Sequence, residues 1–220
     1  MKNKTATIIG ATGLIGSHLL DLLQNDTEFS VIKVLVRIPV AFNNPKVKVA
    51  IVDFTNLESY KSEINGSSVV FCAVGTTNKK MKGDKNEYRK IDYDIPVNAA
   101  KLSLETGCPQ FVFVSSLGAN SKSNNFYLKL KGEVEDTLCS LNIQSLLIFR
   151  PSLLIGKRRD FRFGEIIGKI LIKPISFLFP TNMRPIKAYY VAKSMIEASK
   201  LDTTGINIYN YQEMKQLINK

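Results

Sequence analysis

The sequence predicts an α/β protein built on a doubly wound parallel sheet, with a small C-terminal lobe on the substrate side. Three observations predict it. Strand-like and helix-like segments alternate as far as Phe149. The strand-like segments are unbroken apolar runs, the pattern of strands covered on both faces. The first of them runs into a glycine-rich turn that opens a helix. Alternation of this kind places helices on both sides of a parallel sheet. At 220 residues the chain suits one domain. It reads as a single unit over 1–220, with 151–187 as the substrate-side lobe.

The elements follow in order. Residues 5–9 form a β-branched strand ending at Gly10. Residues 14–24 carry Leu14, Ile15, Leu19, Leu22 and Leu23 at helical spacing. Strands are expected at 31–36, 47–52 and 69–74, with a short helix at 57–61 between the last two. A long helix is expected over 87–105, stopped by Gly107. A fifth strand at 111–114, a helix at 126–141 and a sixth strand at 145–149 complete the alternation. Beyond Pro151 the rhythm changes. Residues 157–187 are rich in Lys, Arg, Phe and Pro and give no clear strand. Helices return at 189–200 and 212–219.

Composition excludes several function classes. Lys and Arg number 30 against 19 Asp and Glu, a formal charge of +11. His18 is the single histidine, which rules out a multi-histidine metal site and argues against a His-based triad. Cys72, Cys108 and Cys139 are far apart and form no CxxC pair, so a zinc ribbon and a disulfide framework are poor readings. No metal site is expected. Scattered cysteines suit a reducing compartment. The N-terminal residues lack the apolar stretch of a signal peptide. Together these lead to the expectation of a cytoplasmic protein. The basic balance is compatible with anionic partners, yet nothing resembles a nucleic-acid-binding motif. Lys157, Arg158, Arg159 and Arg162 read as a solvated loop more than as a contact for an acidic substrate or an anionic membrane, and the apolar stretch 166–179 with its interspersed lysines as a pocket cover more than a membrane anchor.

The turn Gly10-Ala11-Thr12-Gly13-Leu14-Ile15-Gly16 stands where a dinucleotide pyrophosphate would sit. Gly10 permits the tight turn, Gly13 lets backbone approach phosphate, and Gly16 lets the helix pack closely. The N–H groups at the helix start face the anion. The second strand ends at Arg37, where an NAD-preferring site would carry an acid. A guanidinium suits a 2′-phosphate, so NADP(H) is expected over NAD(H). Asp53, after the third strand, stands where an adenine edge would pass, or caps the following helix. After the fourth strand, Ala73, Val74, Gly75 and Thr76 let the middle of the cofactor cross the sheet edge.

The fifth strand ends in Ser115 and Ser116, and the next helix carries Tyr127 and Lys131. Residues i and i+4 are helix neighbours. A free phenol titrates near about 10 and is a poor acid or base at neutral pH. An ammonium beside it favours the phenolate and fits it for proton transfer. Ser116 would orient a substrate oxygen, and Ser115 would support the turn. The same YxxxK spacing recurs at Tyr189–Lys193 and Tyr211–Lys215. Only Tyr127–Lys131 follows a strand ending in serines.

The succession GATGLIG, VLVR, CAVGTT, FVFVSS, YLKLK and FRPSLLIG resembles the atypical branch of the short-chain dehydrogenase/reductase superfamily. The stretch SSLGANSKSNNFYLKLKGEVED is most similar to the Tat-interacting, NADPH-binding oxidoreductases. The resemblance covers essentially the whole chain. It implies a Rossmann-like fold holding NADPH, with Gly10, Thr12, Gly13, Leu14 and Ile15 at the pyrophosphate and Arg37 at the 2′-phosphate. It places Gly75 and Thr76 along the middle of the cofactor and Pro151, Ser152 and Leu153 beside the nicotinamide. Ser116, Tyr127 and Lys131 match the catalytic positions, with Lys131 also holding a ribose. The short interval from Ser116 to Tyr127 argues against a large sugar-nucleotide substrate. No residue matches the asparagine that many of these reductases use.

The function expected is NADPH-dependent hydride transfer to or from a small carbonyl or alcohol. The other reading is a non-catalytic NADPH-binding regulator or assembly partner. No nucleic-acid partner is expected, and the chain is expected to be a monomer or homodimer.

Overall fold

The computed structural model describes residues 3–76, 83–156 and 184–219. Within them a central sheet is built from β1 (Lys4–Ile9), β2 (Phe29–Val36), β3 (Val47–Ile51), β4 (Val69–Cys72), β5 (Gln110–Val114), β6 (Ser145–Phe149) and β9 (Gly205–Tyr209). Two short strands, β7 (Leu154–Ile155) and β8 (Ile186–Lys187), pair separately. The helices are α1 (Leu14–Gln24), α2 (Glu58–Ile64), α3 (Lys85–Arg89), α4 (Ile95–Glu105), α5 (Phe126–Ser140), α6 (Ala188–Ser199) and α7 (Tyr211–Ile218).

The central order is β3-β2-β1-β4-β5-β6-β9, every pair parallel. The chain starts at β1 and winds outward first one way and then the other. The order reverses between β1 and β4, and in such sheets ligands bind in the crevice outside the strand ends at that point.

Side chains alternate across the sheet and feed two cores. On β5, Val112 and Val114 join one core with Leu19, Leu23, Phe71 and Met195 from that face. Phe111 and Phe113 join the other, with Tyr60, Leu102, Val134 and Leu138. Truncating a buried Phe such as Phe113 costs about 3–5 kcal/mol. That is a large part of the roughly 5–15 kcal/mol that holds a domain folded.

Three features depart from the sequence reading. The first is β9, a seventh strand. It lies at the sheet edge, its alternate residues are exposed, and Ile206 and Ile208 face outward. An edge strand need not be an apolar run. The second is the long helix expected over 87–105, which is broken. A π-helical turn, Lys90–Asp94, separates α3 from α4. Pro96 stands at the start of α4 and has no N–H for the carbonyl of residue 92. The third is β8, which falls within 157–187, where no strand was expected; it is two residues long. The rest of that segment, including Lys157, Arg158, Arg159, Arg162 and 166–179, lies outside the described residues. Among the described residues no helix is long and apolar enough to cross a membrane.

Candidate cofactor and catalytic site

The glycine turn closes by direct backbone contact. Gly10 has φ +91°, and a Cβ there would lie 2.8 Å from the carbonyl carbon of Ala73. The turns after β1 and β4 therefore touch at the point where the strand order reverses. A Cβ on Gly16 would lie 2.0 Å from the Gly10 carbonyl oxygen. Thus Gly16 serves the turn itself as well as the packing of α1. Gly13 caps α1 with no side chain, and the first turn of the helix holds no acid. Such an end leaves N–H groups and the positive dipole end free for an anion. Thr12 is exposed, while Ile15 is buried in the core. Ile15 can therefore meet a phosphate only through its backbone. Leu14 reaches across to Gly156, whose Cβ position lies 2.7 Å from Leu14 Cδ1.

Arg37 follows β2, is exposed, and makes no ion pair among the described residues. Its guanidinium is thus uncommitted at the strand end where a ribose would lie. The Asp53 carboxylate accepts bonds from the Thr55 hydroxyl at 2.7 Å and the Thr55 N–H at 2.8 Å. The hydroxyl and then the N–H of Thr55 hold this carboxyl below its usual range. Asp53 thereby shapes the local turn, a role the sequence did not suggest. It does not cap α2, whose N-cap is Leu57.

The turn after β4 is anchored twice. Ala73 N–H bonds the Ile9 carbonyl at 2.9 Å. The backbone of Thr76 is held from both sides: Asp92 Oδ2 accepts its N–H at 2.8 Å, and the Tyr88 hydroxyl donates to its carbonyl at 3.2 Å. Val74 is half-buried and Gly75 exposed.

At the end of β5, Ser115 is buried and its N–H bonds the Phe149 carbonyl at 2.7 Å; its hydroxyl has no partner among the described residues. Ser116 is half-buried and its hydroxyl reaches the Leu117 carbonyl at 3.4 Å. Leu117 N–H then bonds the Pro151 carbonyl at 2.9 Å. This ties the serine turn to the segment expected beside a nicotinamide. That segment is fixed further by the Ser152 hydroxyl, which donates to the Arg184 carbonyl, and by Ile186 N–H on the Leu153 carbonyl.

Asn125 caps α5, its Oδ1 accepting the Leu128 N–H at 3.1 Å. Tyr127 stands at the surface, 37% exposed. Lys131 is one turn further on and only 3% exposed. Its ammonium donates to the Val114 carbonyl at 3.4 Å, lies 5.0 Å from the centre of the Phe113 ring, and faces Asp92 Oδ1 at 3.4 Å. Helix α5 thus carries one residue facing outward and one reaching under the strand end. The helix comes this close to the serine loop because residue 132 is glycine: a Cβ there would lie 2.1 Å from the Ser121 nitrogen.

The sequence reading passed over Asp92, Tyr88 and Gly132. Pro96 was the available signal for Asp92, since it breaks the helix there. Nothing local distinguishes Gly132 from any other helical glycine. The other YxxxK pairs lie on α6 and α7, where Tyr189 packs edge-on against His18 and Lys215 sits over Tyr190. His18 is a packing residue.

Parallel strands wound outward from a glycine turn, with an uncapped helix start and a polar cluster at the same sheet edge, define a dinucleotide-binding fold. The chain belongs to the NAD(P)H-binding family, whose model matches residues 10–140. Its place is in the atypical short-chain dehydrogenase/reductase branch with HTATIP2 and FMP52. It is 38% identical over 207 residues to mitochondrial protein FMP52 of Debaryomyces hansenii, covering 91% of this chain and 90% of that one. It is 34% identical over 172 residues to HTATIP2 of Rattus norvegicus, covering 77% and 70%. In fold it is similar to a UDP-N-acetylglucosamine 4-epimerase from Methanobrevibacter ruminantium. The TM-score is 0.72 at 17% identity, over 96% of this chain and 77% of that one. The expectation of a cytoplasmic protein is overturned here. The FMP52 relatives from Debaryomyces hansenii, Candida albicans and Candida glabrata are all named mitochondrial. Scattered reduced cysteines do not distinguish one reducing compartment from another.

Proposed function

We propose that the protein is an NADP(H)-dependent oxidoreductase acting on a small carbonyl or alcohol, in mitochondria. The observation that carries this reading is the convergence at one sheet edge of the glycine turn, the serine turn and the Tyr127–Lys131 helix. The residues fit the cofactor. The Gly10 to Gly16 turn has room for backbone only. The start of α1 is uncapped, and Arg37 is uncommitted. A bidentate guanidinium on a 2′-phosphate favours NADP(H) over NAD(H). The names of the fungal relatives support the mitochondrial location.

Bound NADPH would supply the hydride. Ser116 orients the substrate oxygen by hydrogen bonding. Tyr127, at the mouth of the site, gives that oxygen its proton as charge develops there. Lys131 lies beneath and supplies positive charge that favours the phenolate left behind. Leu153 and Ile155, both exposed just after the segment tied to the serine turn, offer apolar contact to a small substrate. The chain acts as one domain and works as a monomer or homodimer.

The test is cofactor oxidation over a panel of aldehydes, ketones and quinones, with NADPH and NADH side by side. Turnover that prefers NADPH is expected. Tight NADPH binding with no turnover across the panel contradicts the reductase and leaves a cofactor-binding regulator.

A further inference from the structure

The carboxylate of Asp92 has no part in the reading above, and its placement calls for one. It stands in the π-helical turn Lys90–Asp94 and is wholly buried. Oδ2 accepts the Thr76 N–H at 2.8 Å. Oδ1 faces the Lys131 ammonium at 3.4 Å, with no other polar partner among the described residues. A buried carboxylate so sparsely bonded is costly, and the attraction of one ammonium does not always offset its desolvation. In keeping with this, burial pushes the Asp92 carboxyl above the usual carboxylate range, against the opposing pull of Lys131. A charge kept where it weakens the fold points to a role in the site.

The surroundings say what that role is. Among the described residues, Lys131 is enclosed by groups that bring it no other negative charge. The Val114 carbonyl and the Phe113 ring face it from β5. The Cys72 thiol on β4 is pushed up to about 12 by burial and stays neutral. The Tyr88 phenol on α3 is also pushed up by burial and stays neutral. On α5 itself, Tyr127 is a phenol, and the Glu135 carboxylate is taken by Arg150, whose Nε donates to it at 3.0 Å. Asp92 therefore supplies the negative charge next to Lys131. The same carboxylate holds Thr76, next to Gly75, where the sequence places the middle of the cofactor.

We propose that Asp92 is a positioning residue of the cofactor site: its carboxylate is the counter-charge of Lys131 and the anchor of the Gly75–Thr76 turn. This rests on the cofactor reading above. One buried group thereby sets the catalytic helix and the cofactor-bearing turn relative to each other. It also keeps a buried lysine in the charged form that a ribose hydroxyl or a phenolate needs.

Asp92→Asn separates these roles. The amide oxygen can keep the Thr76 bond while its NH2 group faces Nζ. A neutral amine accepts from that group; an ammonium does not. Lys131 in the variant therefore gives up its proton at lower pH. The experiment is NADPH titration by fluorescence at about pH 7 and about pH 9, for the wild type, Asp92→Asn and Asp92→Asn/Lys131→Met. Between these values Asp92→Asn should lose more affinity than the wild type, because the neutral amide no longer opposes deprotonation of the ammonium. Adding Lys131→Met should remove that extra pH dependence. An Asp92→Asn protein that follows the wild type at both values overturns the proposal. A wild type that binds no NADPH overturns the cofactor reading instead, which keeps the two failures apart. Circular dichroism reports whether Asp92→Asn folds. If it does not, a double variant that regains the fold supports the charge pair, and one that stays unfolded overturns it.

Discussion

Gly16 and Gly10 touch across the first turn so closely that a methyl group on Gly16 would lie 2.0 Å from the Gly10 carbonyl oxygen. Replacing a helical glycine by alanine ordinarily stabilises by roughly 0.5–1 kcal/mol. Here the sign reverses, because backbone on both sides leaves no room to yield. Gly16→Ala should lower the melting temperature and abolish detectable NADPH binding. Thermal melts with and without cofactor check both.

The second close approach is at Gly132, against the backbone of Asn120 and Ser121. Gly132→Ala should push α5 off the serine loop and separate Ser116 from Tyr127. Turnover should fall further than cofactor affinity, since Gly132 packs on the serine loop and not on the glycine turn. A KM and kcat comparison beside an NADPH titration distinguishes this from general unfolding.

Arg37 tests cofactor choice. Charge-assisted hydrogen bonds contribute about 1.5–3 kcal/mol, or roughly ten- to a hundredfold in affinity. Arg37→Ala should lose that much affinity for NADPH and change little for NADH. Equal losses for both would mean that the guanidinium holds something other than the 2′-phosphate.

Asp92 also sets a pH dependence of stability. Its carboxyl is held above the usual range by burial. A group raised in the folded state contributes stability that is full below its unfolded value, near about pH 4, and is lost as pH rises through the folded one. Asp92→Asn has no proton to lose there and is spared that loss. The melting temperature of Asp92→Asn relative to wild type should therefore rise between about pH 4 and about pH 7. A difference that falls with pH would contradict it.

Much of this molecule is legible in its sequence, for physical reasons that also mark the limits. Apolar runs such as 145–149 declare strands covered on both faces, and the glycine turn declares the start of α1. Both signals are local. Strand β9 escaped because an edge strand exposes alternate residues. The π-helical turn escaped because apolar periodicity continues through it, although Pro96 marks the break. Asp92 and Gly132 matter through partners far off in sequence, Lys131 in one case and Ser121 in the other. Only the fold brings those pairs together.

In the proposed reaction a phenol at the mouth of an NADP(H) site gives the proton to a reduced carbonyl. The most direct measurement compares wild type and Tyr127→Phe for NADPH affinity and for NADPH oxidation with the best carbonyl of the panel. General acid catalysis of this kind contributes roughly 10²–10⁴-fold. The expected result is a fall in turnover of that order with cofactor affinity unchanged. Undiminished turnover in Tyr127→Phe would contradict the account.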